Sequence, residues 1–87
     1  MRIRWTLPAA QDISHYLKEN HPHYRLPTLR KLYRKIQSLR QTPYIGKPGR
    51  IEGTREILFL PIPYIAVYRV EAESVEIWRV WHTAQNR

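Results

Sequence analysis

The stretch REILFLPIPYIAVYRVEAESVEIWRVWH, residues 55–82, constrains this fold more than any other part of the chain. It holds three runs rich in β-branched and aromatic residues: REILFL (55–60), YIAVYRV (64–70) and VEIWRVWH (75–82). Pro61-Ile62-Pro63 bends the chain after the first, and the polar segment 71–74 turns it after the second. Apolar runs joined by such short breaks form antiparallel hairpins. Residues i and i+2 of a strand share a face, so Arg79 is expected beside Ile77, and His82 beside Val80. On the same rule Trp78 and Trp81 fall on opposite faces, with at most one in the core. Tyr64 and Tyr68 share a face, and one at least should pack beneath whatever covers the sheet.

What precedes these runs is mostly helical. Arg2-Ile3-Arg4-Trp5 alternates and reads as a short strand. Leu7-Pro8 opens a helix whose apolar members are Ala9, Ile13, Tyr16 and Leu17, with Asp12 early and Lys18 late to suit the helix dipole. Asn20-His21-Pro22 ends it. A second helix starts near Pro22, is distorted at Pro27, and carries an apolar stripe of Leu29, Leu32, Tyr33, Ile36 and Leu39. It stops before Pro43, and 42–49 is rich in turn formers. The expected order is β-α-α-β-β-β, an α+β fold in which a helical hairpin packs on a small twisted antiparallel sheet. With 87 residues, the chain is expected to be one domain, 1–87.

Charge bears on function. Fifteen Lys and Arg stand against seven Asp and Glu, a formal net charge of +8. No acid occurs between Glu19 and Glu52, where Arg25, Arg30, Lys31, Arg34, Lys35, Arg40, Lys47 and Arg50 all fall. A surface so one-sided attracts a phosphate polymer or an acidic protein. There is no cysteine, hence no disulfide frame and no thiolate metal site. His21 and His23 flank Pro22 without acidic or further histidine partners at useful spacing, so no metal site or cofactor is expected. MRIRWTLPAA has no apolar run long enough for a signal peptide, and no segment approaches the roughly 20 apolar residues of a membrane span. A soluble cytoplasmic protein without membrane attachment is the expectation.

Several short motifs, taken in order, resemble those of the RelE/ParE superfamily, the toxins of type II toxin–antitoxin systems. They are Gly49-Arg50, Gly53-Thr54-Arg55-Glu56, Pro63-Tyr64-Ile65 with Val67-Tyr68-Arg69-Val70, and Arg79-Val80 with His82. The resemblance implies a small basic growth inhibitor neutralised by a cognate antitoxin that applies an acidic or amphipathic segment by groove docking or strand addition. It also implies one of two targets. ParE-like members poison DNA gyrase without a catalytic centre, whereas RelE-like members cleave mRNA on the ribosome.

Cleavage of RNA needs a base, an acid, and cations that stabilise the phosphorane. Arg55, Arg79 and His82 are the candidate catalytic residues if the chain is an mRNA endonuclease. Lys47, Arg50, Arg30 and Arg34 are candidate phosphate or partner contacts in either case. A bland account stays open: Arg55 pairs with Glu56 or Glu76, and His82 caps the last strand. One departure counts against cleavage. RelE-like enzymes resemble one another in placing an arginine three residues before the tyrosine of the central strand, and Ile65 holds that place before Tyr68. Loss of such a cation costs on the order of 3 kcal/mol in the barrier, about a hundredfold in rate. Thr83 likewise stands where an arginine would follow the basic pair. The ParE-like reading is therefore preferred, with the endonuclease as the alternative.

Overall fold

The computed structural model describes residues 1–19, 22–59 and 63–83, with the side chains of 17–19 and 22–26 left out. The elements are β1 (Arg2–Trp5), α1 (Leu7–Glu19), α2 (Pro22–Ser38), β2 (Lys47–Pro48), β3 (Arg55–Leu58), β4 (Tyr64–Val70) and β5 (Ser74–His82). The strands form one sheet in the order β1-β5-β4-β3-β2. Both helices pack on one face. Ala9, Ile13 and Tyr16 of α1 and Leu29, Leu32, Ile36 and Leu39 around α2 meet Ile57, Ala66, Tyr68, Val75, Ile77 and Val80 in a single core. Apart from Leu17, whose side chain lies outside the described ones, the expected stripes are the buried ones, except that Tyr33 is half exposed and lies tilted against Trp5, ring centroids 5.6 Å apart. α2 is continuous through Pro27. Pro61, Ile62 and His21 lie outside the described residues.

The α+β order stands, while two details of the sheet differ from expectation. First, the sheet is mixed, because β1 runs parallel to β5, pairing Ile3 with Val75 and Trp5 with Ile77. Tight turns force antiparallel pairing only where they exist, between β3 and β4 and between β4 and β5; β1 reaches the sheet through no such turn. Second, the presumed loop 42–49 contains a fifth strand, β2, which pairs Lys47 with Glu56 and Pro48 with Arg55. A proline is tolerated there because β2 is an edge strand, where a missing N–H breaks no inner ladder.

A bulge in β5 corrects the parity argument. Val67 pairs with Arg79 but Tyr68 pairs with Ile77, so Trp78 is an extra residue without a partner on β4. One extra residue inverts the alternation beyond it. Ile77 and Val80 consequently both face the core, and Arg79 is turned off the face of Ile77. Trp78 and Trp81 do not point to opposite faces either. Trp78 lies beneath the Arg69 guanidinium, 5.9 Å from its ring centroid, and Trp81 beneath that of Arg79, 4.9 Å away. The register puts both on the sheet face away from the helices, and neither belongs to the core.

The start of α1 explains how β5 tolerates this. β1 covers β5 only as far as Ile77, which leaves the edge of β5 open beyond it. Thr6 continues the ladder with one backbone bond to the Ile77 carbonyl (3.0 Å). Its hydroxyl then donates to the Trp78 carbonyl (2.9 Å) and accepts from the Ala9 N–H (3.2 Å), the geometry of a helix N-cap. One threonine closes the sheet edge at the bulge and starts the helix that lies along it.

Candidate functional site

Arg79 is held, not free. Its Nε and Nη2 donate to the two carboxylate oxygens of Asp12, each at 2.9 Å, in a bidentate fork. The same carboxylate accepts the Val80 N–H at 2.8 Å, a donor on the edge that β1 leaves uncovered. Asp12 is only 14 % exposed; the hydrogen bonds that its carboxylate accepts, helped by its negative charge, hold the Arg79 pKa above the usual arginine value against the opposing effect of burial. Asp12 had suggested no more than a helix-dipole role. The register of β5 against α1, on which this clasp depends, is absent from any local pattern.

His82 sits at the far end of β5, opposite Tyr64. The rings of His82 and Tyr64 meet edge to face at 5.2 Å, and Tyr64 meets Tyr16 of α1 in the same way at 5.2 Å. The histidine is half-buried at the end of an aromatic row that joins the sheet to α1.

Arg55 faces the loop 43–46. Its Nη1 donates to the carbonyls of Tyr44 (3.1 Å) and Gly46 (2.7 Å), and the guanidinium lies 5.0 Å from the centre of the Tyr44 ring. Beside it Tyr68 is fully buried; its hydroxyl donates to the Pro43 carbonyl (2.7 Å) and accepts from the Gly46 N–H (2.9 Å). Burial raises the Tyr68 pKa above 10.0, opposed by the Gly46 bond and the Arg55 charge. This loop fits against the sheet only because residue 46 is glycine. A Cβ there would lie 2.6 Å from the Tyr68 hydroxyl and 2.8 Å from the Glu56 carbonyl.

The three candidate catalytic residues therefore occupy three places. Arg55 is level with Tyr68 and His82 with Tyr64, four residues along β4, a separation of about 13 Å along the strand. Arg79 is turned to the sheet edge by Asp12. Lys47 is the backbone partner of Glu56 across the sheet edge, and the buried Glu56 carboxylate accepts the Arg50 backbone N–H at 3.2 Å. On the face away from the helices Arg69 pairs with Glu71 at 3.2 Å, and the Trp78 indole N–H donates to Glu76 at 2.7 Å. That face mixes both signs of charge around its two tryptophans. Arg30 and Arg34 differ: both lie exposed on α2, which contains no acid.

A second feature marks the β3 edge. β2 covers only Arg55 and Glu56, so Ile57 and Leu58 have no strand partner on that side among the described residues. A groove of about 290 Å³ opens there, lined by Ile45, Gly46, Ile57, Leu58 and Ile65 with Lys47 and Glu56 at one end, and Ile45 and Leu58 are well exposed. An open edge beside an apolar groove is what strand addition by another chain uses. Among the described residues no group of His, Asp or Glu could hold a metal ion, and no helix is long and apolar enough to cross a membrane.

Fold and motifs define a small α+β toxin of the RelE/ParE type. Residues 3–87 match the profile of the ParE toxin of type II toxin–antitoxin systems, parDE, and the chain belongs to that family. It is 37 % identical to "Putative toxin Y4kP" of Sinorhizobium fredii, over 97 % of this chain and 90 % of that protein. It superposes on a chain from the chromosomal ParDE system of P. aeruginosa with a TM-score of 0.80 at 25 % identity, covering 94 % of this chain and 95 % of that one. A chain of the E. coli RelBE toxin–antitoxin complex has the same fold, with a TM-score of 0.69 at 18 % identity and 98 % of each chain covered.

Proposed function

We propose that this toxin acts in the cytoplasm by binding DNA gyrase, and that it cleaves no RNA. The observation that carries this reading is the commitment of Arg55, Arg79 and His82 to separate intramolecular partners, with Arg55 and His82 level with residues four positions apart on β4. A phosphorane needs its acid, base and cations within hydrogen-bond reach of one another's substrate atoms. Ile65 in place of the strand arginine and the fully bonded Tyr68 hydroxyl support the same choice. The cognate antitoxin, on this reading, adds an extended, partly apolar segment to the open edge of β3, filling the groove between Ile45 and Leu58 and placing acidic side chains near Lys47.

The test expresses the toxin without its antitoxin, reads the 5′ ends of cellular mRNA, and in parallel measures supercoiling by purified gyrase. Supercoiling should fall with toxin concentration, and His82→Ala should inhibit as the parent does. Cuts in translated messages that disappear in His82→Ala and in Arg55→Gln, while both variants keep the parental circular dichroism, would overturn the proposal in favour of the endonuclease.

A further inference from the structure

We infer that the solvent face of α2 is a phosphate-binding surface for duplex DNA, separate from the surface that receives protein partners. Arg30, Lys31, Arg34 and Lys35 are all exposed, and none makes an ion pair among the described residues. Each helical residue turns by about 100°, so these four fall within an arc of about 140° and along about 7 Å of axis. Arg30 with Arg34 and Lys31 with Lys35 are like-charge pairs at i,i+4, which weaken a helix unless an anion lies between them.

Charge complementarity alone would admit an acidic peptide, and the composition of the face decides between the two. Protein partners are anchored by apolar and aromatic side chains at the centre of the contact. Gln37 and Ser38 continue this face without charge, Pro27 lies on it one turn before Arg30, and the half-exposed Tyr33 borders it while packing against Trp5; the more exposed apolar groups Ile45 and Leu58 lie at the β2–β3 edge. A surface with four cations and no large apolar side chain between them suits a phosphate backbone, which carries one charge per about 1.7 Å of duplex. An exposed helix can enter the wide major groove of B-form DNA, whereas that of A-form RNA is too deep and narrow. The choice of DNA rests on the gyrase reading, because a gyrase poison meets its target on DNA.

The probe is a fluorescent DNA duplex of about 20 base pairs, titrated with the full-length toxin in the absence of gyrase and antitoxin. Four released counterions give a slope of log K against log salt of about −3.6, so affinity should drop about 150-fold between 50 and 200 mM salt. Arg30→Gln combined with Arg34→Gln should make the slope shallower by about 1.8, reducing that drop to about 12-fold. Arg69→Gln, which removes one cation from the opposite face, should leave the slope at the parental value. An unchanged slope in the double variant overturns the inference, as does equal or tighter binding to an RNA duplex of the same sequence. Binding of polyglutamate in preference to the duplex overturns it too. Gyrase inhibition without a slope change sinks the DNA surface alone; the slope change without gyrase inhibition sinks the target alone.

Discussion

Replacing Asp12 by alanine should cost substantial stability, because that carboxylate serves three donors at once. The magnitude follows from what each donor does next. Val80 N–H lies on a sheet edge covered by α1, and a covered donor left without an acceptor costs about 1–3 kcal/mol. Arg79, with its side chain 40 % exposed, rehydrates, so its loss is confined to about 0–1 kcal/mol. The total is about 1–4 kcal/mol, which in a domain of this size lowers Tm by roughly 4–30 °C. Asp12→Asn keeps one acceptor for Val80 and should lose only about 1 kcal/mol. Arg79→Met should lose about 1 kcal/mol or less, since the Val80 bond survives. Added to Asp12→Ala, it should cost almost nothing further. Urea unfolding followed by circular dichroism measures all four variants. If Arg79→Met proves as damaging as Asp12→Ala, the sheet-edge bond is not the main component and the reasoning fails.

Other consequences can be checked on the same preparation. The Tyr68 pKa is raised by burial, so the folded state holds its proton more tightly than the unfolded chain. Stability from this group is complete below pH 10 and lost as pH rises beyond it; alkaline titration of unfolding should show a steeper loss in the parent than in Tyr68→Phe. Tyr68→Phe also leaves the Pro43 carbonyl and the Gly46 N–H without their partner, a cost of about 1–3 kcal/mol in neutral urea melts. Gly46→Ala should destabilise by about 1–3 kcal/mol, because backbone as well as a buried ring stands in the way of the methyl group; parental stability in that variant would refute the close approach. Gly53, at φ +82 with open space around it, should lose only about 1 kcal/mol on substitution by alanine, from backbone strain alone, as read from the same melts. Thr6→Ala should cost about 1 kcal/mol through the lost helix cap, visible as a lower urea midpoint with an unchanged m-value.

The helices, the last three strands and the basic stretch were legible in the sequence because each is written in local periodicity or composition. Leu29, Leu32, Ile36 and Leu39 face the core whichever sheet they meet, since 3.6-residue spacing makes them one stripe. The family was legible from the short motifs of residues 49–82. Four things were not: the short edge strand β2, the extra residue in β5, the parallel partner of β1, and the clasp of Asp12 on Arg79. A bulge leaves no mark on periodicity until its partner strand is known, yet it decides the faces of Arg79, Trp78 and Trp81. Strand order and the reach of α1 along an open edge arise from contacts between residues 67 positions apart, whose energies no local window contains. The chain by itself settled its helices, its four longer strands and how its charge is apportioned. Only tertiary packing decided that Arg79, one of the candidate phosphate contacts, is already held by Asp12, a carboxylate that also supplies the acceptor for the Val80 N–H at the sheet edge.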